Sequence, residues 1–268
     1  MHPQIFSLHL LEGLPPLVLH SYSLFMVLGL GAAVGVGVWL AGRAGAFAPI
    51  DQALALVIAF AGGLVGAKGL YVLLHVVLRG EPLSWAQLAD SGGLVWYGGV
   101  LGGVGGYLLV HRRLGTPVAL ALDLGAPGAA LGHAFGRLGC FFAGCCYGGP
   151  APAGWPKVIF PLGGLAPGGI PLHPTQLYEA AGMAGIALCA GLAAARWPGA
   201  GRATWLYGAL YAGLRFSLEA LRADDRGATF GGLSAGQAVS LGVALLCLLS
   251  APVVWGGAAR VDRPGASG

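Results

Sequence analysis

The sequence contains little charge. Of its 268 residues only 9% are Asp, Glu, Lys or Arg, whereas 56% are hydrophobic, and the mean hydropathy is +0.77. About a quarter of the residues in a soluble domain are normally charged, so this chain has too few charged side chains to cover a surface that faces water. Several apolar runs reach the roughly 18 residues that a membrane-spanning helix needs. The composition excludes a soluble globular protein and predicts an all-α polytopic membrane protein.

Other absences narrow the function. The N-terminal segment lacks the basic stretch and the small-residue cleavage site of a signal peptide, so we expect no cleavage there. No clear internal repeat is present, although repeats are expected of a transporter. The net charge of +4 is spread over the loops. It therefore relates to topology, and we expect no nucleic-acid partner.

Apolar runs predict about seven membrane spans in a single transmembrane domain that covers residues 1–268. The runs cover approximately residues 22–40, 52–78, 92–110, 118–135, 175–195, 203–221 and 233–255. Between the fourth and fifth runs lies a Gly/Pro-rich loop at about 148–174, which contains too many helix-breaking residues to be helical.

Basic residues near the ends of the spans predict the orientation. One set of loops is almost purely basic and contains Arg43, Arg112, Arg113, Arg196, Arg202, Arg260 and Arg263. The opposite loops mix the basic residues Arg79, Lys157, Arg222 and Arg226 with the acidic residues Glu81, Asp90, Asp224 and Asp225. The first set is therefore predicted to be cytoplasmic, with the N-terminus outside and the C-terminus inside. The unusual polar segments then converge on the outer side, as parts of one site.

Two arginines stand out because they lie in or beside apolar runs. Arg137 closes the fourth predicted span in "HAFGRLGC", and Arg215 lies within the sixth in "YAGLRFSLEALR". An arginine at that depth usually faces a partner or a cavity, although a side chain near a helix end can also extend to the interface. Glu219, four residues after Arg215, could orient it through an ion pair. The functional interpretation is a pair of guanidinium groups that bind a lipid phosphate.

Two further motifs are polar or rich in glycine. "HPTQLYE", from His173 to Glu179, is typical of the start of a helix, where Gln176 and Glu179 could simply cap the N-terminus. In "GGLVWYGGVLGGVGG" the glycines favour close helix packing over a ligand role. Tyr97, within that motif, needs a partner or water for its hydroxyl group.

The five cysteines divide into two groups. Cys189 and Cys247 lie inside apolar runs, whereas Cys140, Cys145 and Cys146 cluster in "GRLGCFFAGCCYGG". The cluster has four interpretations that the sequence leaves open. It could be a structural zinc site completed by a histidine, a disulfide on the outer face, a reactive thiol activated by Arg137, or a set of small buried residues in a packed turn. The spacing lacks the usual C-x2-C pair of a zinc site, so no metal is expected. The histidine in the first case would be His133 or His173.

Together these motifs resemble the prolipoprotein diacylglyceryl transferases. Tyr22, "GAKGLYVL", "GGLVWYGG", "GRLGCF", "HPTQLYE" and "RFSLEALR" occur in the order and spacing of that family, from about residue 22 to about residue 222. The resemblance implies an enzyme of the bacterial inner membrane whose site opens to the periplasmic side. It would transfer a diacylglyceryl group from phosphatidylglycerol to the thiol of a prolipoprotein lipobox cysteine, without a metal or cofactor. Arg137 and Arg215 match the family's two key arginines.

The motifs and the resemblance together define the candidate residues. The candidate catalytic residues are Arg137, Arg215, Tyr97 and Tyr22. The candidate substrate-binding residues are Gly98, Gly99, Gly139, Cys140, Gly148, His173, Gln176, Glu179, Glu219 and Arg222. A possible thiol site consists of Cys140, Cys145 and Cys146.

The chain departs from the family pattern near these residues. Around Arg137 the family has Gly-Arg-x-Gly-Asn-Phe-x-Asn-x-Glu, and this chain has Cys140 and Ala143 for the asparagines and Cys145 for the glutamate. Tyr97 replaces a histidine, and a phenol is a poor base at neutral pH. Lys68 replaces an arginine. Two alternatives therefore stay open: a related membrane enzyme with a thiol-dependent or redox site, and a non-catalytic phospholipid-binding homologue.

Overall fold

A computed structural model describes residues 4–8, 17–45, 47–80, 82, 95–223 and 231–256, with side chains described from His20 onward except that of Arg79. Within these ranges the chain forms seven helices: α1 (Ser21–Ala44), α2 (Pro49–Arg79), α3 (Trp96–Arg113), α4 (Val118–Ala143), α5 (Thr175–Arg196), α6 (Arg202–Glu219) and α7 (Ala235–Gly256). Two antiparallel pairs of short strands accompany them: β1 (Gln4–Leu8) with β2 (Leu17–His20), and β3 (Val158–Ile159) with β4 (Pro171–Leu172). Each of the seven helices overlaps one of the seven predicted spans, so the all-α prediction is confirmed.

Some of the sequence predictions fall outside the described residues. These are the first three residues of the third span, 92–94, and the loop residues Glu81, Asp90, Asp224, Asp225, Arg226, Arg260 and Arg263.

Five of the seven described helices are long and apolar enough to cross a membrane, judged by length and composition. They are α1, residues Pro49–Leu78 of α2, α4, α5 and α7. The other two, α3 and α6, have 18 residues each. Helix α3 is rich in glycine and ends in "HRR", and α6 contains Arg215 and Glu219, so both are less apolar than the rest.

The fourth helix is longer than the sequence predicted. We expected a span that ends near residue 135 with Arg137 at its end, but α4 continues to Ala143. Gly144 ends the helix with a φ of 77°, a left-handed conformation that glycine adopts without steric cost. Pro127 lies buried inside α4 and does not end it. Arg137 and Cys140 are therefore helical residues, and α4 carries both into the site.

Helix α4 is the centre of the bundle and contacts α1, α5 and α6. At the end that carries the predicted cytoplasmic arginines, Leu40 and Leu124 form a buried cluster with alanines of α5 and α6. Asp123 is fully buried there and accepts hydrogen bonds from the backbone N–H groups of Gly201 (2.8 Å) and Thr204 (3.0 Å). It caps the start of α6, because the first N–H groups of a helix have no partner within it.

Helices α2 and α3 pack through their glycines, as the sequence predicted. A Cβ atom added to Gly62 of α2 would lie 2.7 Å from the carbonyl oxygen of Gly102 in α3, and Gly66 and Gly98 are in even closer mutual contact. Such contacts between backbones are possible only without side chains. In the described part of "GGLVWYGGVLGGVGG", every glycine except Gly105 therefore packs against α2.

We predict that Gly102→Ala lowers the melting temperature of the purified protein. The added methyl group would contact the backbone of Gly62, and overpacking of this kind costs about 1–3 kcal/mol. Gly105→Ala in the same helix is the matched control, because a Cβ atom there meets no atom within 4 Å. Equal melting temperatures for the two variants would contradict the packing role.

Candidate active site

Polar segments that are distant in sequence meet at one end of the bundle. This end consists of the C-terminal turns of α4 and α6, the first turns of α1, α5 and α7, and the segments that follow α4 and α6. It is opposite the end that contains Asp123. The predicted convergence is confirmed for the segments around Arg137, Glu179 and Arg215, whereas the described residues of "GGLVWYGG" lie outside it.

One buried carboxylate organises this end. Glu179, fully buried in the second turn of α5, has its Oε1 atom 3.0 Å from Nη2 of Arg137 and 3.4 Å from Nε2 of His133. Its Oε2 atom lies 3.6 Å from Nη1 of Arg222 and 3.8 Å from Nη1 of Arg215. The ion pairs of Glu179 therefore connect α5 to α4, to α6 and to the segment after α6.

A second carboxylate holds Arg215 from its own helix. Glu219 Oε2 lies 2.7 Å from Nη2 of Arg215, which is the ion pair predicted from their spacing. Ser234, just before α7, donates a 2.7 Å hydrogen bond to Glu219 Oε1. Both ends of the carboxylate are thus held, and the position of Arg215 is fixed by two acidic residues.

The backbone after α4 pairs with the backbone after α6. Gly148 forms an antiparallel bridge with Arg222, and the Gly149 N–H donates to the carbonyl of Leu221 at 2.9 Å. A Cβ atom on Gly148 would lie 2.7 Å from Cβ of His173. Gly148 therefore packs closely against His173 while its backbone pairs with that of Arg222.

The three clustered cysteines come together in space. The Sγ atoms of Cys140, Cys145 and Cys146 all lie within 4.8 Å of one another, and none forms a disulfide in this structure. Each thiol is partly exposed. The chain turns back on itself at Gly144 and again at Cys146, which has a φ of 61°.

Side chains at the start of α5 hold this turn. Thr175 Oγ1 donates to the carbonyl of Cys146 at 2.9 Å, and Gln176 Nε2 donates to the carbonyl of Cys145 at 2.7 Å. Helix α5 has no side-chain cap, so the "HPTQLYE" motif fastens the cysteine turn instead of capping its own helix.

The three thiols are not equivalent. Hydrogen bonds with Cys140 and Cys145, together with the positive charges of Arg137 and Arg222, lower the pKa of Cys146 against the effect of its burial. Hydrogen bonds with Cys140 and Cys146, together with burial, raise the pKa of Cys145. Of these two, Cys146 is the thiol that more readily carries a negative charge.

Two of the candidate residues border the thiols. A Cβ atom on Gly139 would lie 3.1 Å from Cδ2 of Tyr22, so this glycine lets the start of α1 approach α4 closely. Tyr22 is near enough to interact electrostatically with Arg137 and the three cysteines.

The structure leaves other candidates outside this cluster. Tyr97, at the start of α3, is 45% exposed, and its ring contacts that of Trp96. Gly98 and Gly99 pack against α2. Within the described residues, no contact links these three to Glu179 or to the thiols.

Two features of the site were missed from sequence. His133 was considered only as a zinc ligand, but it accepts a 3.2 Å hydrogen bond from Nε of Arg137. It lies four residues before Arg137, so helical spacing on a longer α4 would have found it. Glu179 was assigned to substrate binding or capping and not to the centre of an ion-pair network.

The electrostatics of the site favour an anion. Among the described residues, the guanidinium groups of Arg137, Arg215 and Arg222 surround the carboxylates of Glu179 and Glu219. Arginines bind phosphate through parallel N–H donors. Three guanidinium groups in one place can therefore supply donors to a phosphodiester.

Comparison with known proteins gives the family. The sequence profile of the prolipoprotein diacylglyceryl transferases matches residues 9–252. Over 242 residues the chain is 34% identical to the phosphatidylglycerol–prolipoprotein diacylglyceryl transferase of Geobacter sulfurreducens, an alignment that covers 87% of this chain and 90% of that protein. It is also 34% identical over 181 residues to transferase 2 of this type from Clostridium perfringens, covering 67% and 69% of the two chains. This chain thus belongs to the prolipoprotein diacylglyceryl transferase family, and it is a multi-pass membrane transferase of lipoprotein biosynthesis.

Proposed function

We propose that this protein transfers the diacylglyceryl group of phosphatidylglycerol to the thiol of a prolipoprotein lipobox cysteine, with Arg137 and Arg215 binding the phosphate. The observation that carries the proposal is that these two arginines, from two different helices, reach the same buried carboxylate. A phosphodiester that approaches Glu179 would therefore meet guanidinium groups on two sides.

Glu179 would keep the two arginines in place before substrate arrives. Donors that are already oriented towards the developing charge need no reorganisation during the reaction, and this is usually the largest catalytic effect. Arg137 also has a donor atom that can bind substrate. Its Nε and Nη2 atoms are engaged by His133 and Glu179, and its Nη1 atom makes no hydrogen bond to a described residue, so it can donate to a phosphate oxygen.

The chemistry fits this arrangement. The acceptor thiolate attacks the glycerol carbon next to the phosphate, the S–C bond forms, and the C–O bond breaks. The electron pair leaves with the oxygen of glycerol phosphate, whose charge increases in the transition state. Arg137 and Arg215 would stabilise that charge, and the lipid tails would remain in the bilayer beside the helices.

The site would face the outer side of the bacterial inner membrane. The opposite end of the bundle has the features of a cytoplasmic interface, because Arg202 lies over the rings of Trp197 (4.7 Å) and Trp255 (5.0 Å). Tryptophan marks both interfaces, whereas clustered arginine marks the cytoplasmic one. A prolipoprotein segment that has crossed the membrane would meet the site there.

We predict that Arg137→Ala lowers kcat/KM for transfer about 100- to 1,000-fold, the loss expected when one donor to a developing oxyanion is removed. The assay follows the mass of a lipobox peptide incubated with phosphatidylglycerol and purified protein. Arg137→Lys keeps the positive charge but loses the planar donors of the guanidinium group. Its kcat/KM should therefore lie between that of the unmodified protein and that of Arg137→Ala. Arg113→Ala, an exposed arginine at the other end of the bundle, is the matched control and should retain activity.

Unchanged transfer by folded Arg137→Ala protein, checked by its melting temperature, would contradict the phosphate role. A chain that transfers nothing in any form would contradict the proposed function as a whole.

The orientation gives a separate prediction. In a background in which all five cysteines are replaced by serine, Lys157→Cys should react with a membrane-impermeant maleimide in spheroplasts. Arg113→Cys in the same background should react only after permeabilisation. Both positions are exposed in the structure, so the membrane alone decides which one is labelled. The reverse pattern would place the site on the cytoplasmic side.

A further inference from the structure

The cysteine turn is built so that three thiols face one another. Cys140 lies on α4, and Cys145 and Cys146 return to it after the left-handed residue Gly144. Among the described residues, Cys146 is the one non-glycine residue with a positive φ. This conformation is disfavoured for a side chain and persists where the surroundings fix it. Here the hydrogen bonds from Thr175 and Gln176 fix it.

We propose that Cys140, Cys145 and Cys146 bind one Zn²⁺ ion and that the fourth coordination position takes the acceptor thiol of the prolipoprotein. This proposal rests on the proposed function. A metal ion here would activate the acceptor thiol, a role that Tyr97 does not fill within the described residues, because it makes no contact with the cluster.

The spacing of the sulfur atoms suits zinc. With Zn–S bonds of about 2.3 Å, tetrahedral geometry puts thiolate sulfurs roughly 3.8 Å apart. The three Sγ atoms already lie within 4.8 Å of one another, so side-chain rotation over a short distance completes the site. Three thiolates and Zn²⁺ carry one negative charge in total, and Arg137 and Arg222 are close enough to the cluster to interact with it favourably.

The fourth position is open in the described part of the chain. His133 is engaged by Arg137 and Glu179, and the Nδ1 atom of His173 lies 3.4 Å from the hydroxyl of Tyr178. Neither histidine joins the three sulfur atoms. Structural zinc sites have four protein ligands, whereas catalytic sites have three and leave one position to substrate. The cysteine cluster, with three protein ligands, has the pattern of a catalytic site.

The position of the cluster matches the reaction. Cys140 follows Arg137 by three residues on α4, so both lie on the same face of the helix. An acceptor bound to the metal would therefore sit beside the bound phosphate. On binding, the acceptor thiol releases its proton to water. Its sulfur then attacks the glycerol carbon, and glycerol phosphate leaves with the electrons of the broken C–O bond. The zinc ion keeps its charge, and the thioether product dissociates from it.

Metal binding can be measured without any activity. Full-length protein in detergent is stripped with a chelator, loaded with Zn²⁺ and desalted, and its zinc content is determined by mass spectrometry. We expect about one zinc ion per chain, and an affinity more than about 100-fold weaker in Cys140→Ser/Cys145→Ser/Cys146→Ser, since changes even outside the ligands cost 10- to 100-fold. Cys189→Ser/Cys247→Ser is the matched control, because both residues lie away from the cluster, and it should bind zinc like the unmodified chain.

A second measurement uses only the unmodified chain, so it does not depend on whether the triple variant folds. Co²⁺ added to stripped protein should produce a thiolate-to-cobalt charge-transfer band that Zn²⁺ abolishes. Absence of the band, or equal zinc binding by the triple variant, would overturn the metal site.

Transfer assays then decide the role of the metal. Stripped protein should transfer lipid at least about 100-fold more slowly, the lower end of what assisted removal of a proton contributes to a reaction, and zinc should restore the rate. Arg137-dependent transfer at the same rate with and without zinc would overturn the metal's role and leave the proposed function intact. Zinc binding in a chain that never transfers lipid would overturn the proposed function and the acceptor role together.

Discussion

The site depends on the ion pairs that the buried carboxylate of Glu179 forms with three arginines. A charge inside an apolar bundle must be paired, because removing one partner of a buried pair costs about 3–5 kcal/mol. Glu179 meets this requirement with Arg137, Arg215 and Arg222, which come from three separate segments. Any rearrangement of α4, α5 or the end of α6 would leave charge unpaired in a membrane environment, where ionisable residues are costly. The same pairing that fixes the bundle end keeps its arginines ready for an anion.

The rest of the bundle supports this end in two ways. Glycine contacts hold α2 against α3, and the Asp123 cap fixes the start of α6 at the opposite end. Near the site, backbone pairing of Gly148 with Arg222 ties the cysteine turn to the ion-pair network. Arginines and thiols are thus held by one framework, and a phosphate and a nucleophile could meet within it.

Much of the fold could be predicted from composition and spacing, because membrane helices appear in the sequence as apolar runs. The arginines could be predicted because a charged residue within such a run needs a partner. Arg137, Arg215 and the Arg215–Glu219 pair were predicted on those grounds. The end of α4 was not, because the glycines and cysteines after Phe135 resemble a loop, yet the helix continues until Gly144. Cys140, Cys145 and Cys146 were predicted as a possible thiol site, but spacing could not show that their three sulfur atoms meet, because this depends on the left-handed backbone at Cys146. Tyr97 was selected by motif alone, and the described contacts hold it with Trp96 instead of with Glu179.

The most direct test of the central claim is an experimental structure of the protein in a lipid nanodisc that contains phosphatidylglycerol. The account predicts density for the phosphate within hydrogen-bonding distance of both Arg137 and Arg215, on the side of these residues that faces the cysteine turn, with Glu179 still paired to at least one of them. A phosphate bound elsewhere, with the Arg137–Glu179–Arg215 contacts unchanged, would show that the network is structural and would contradict the account.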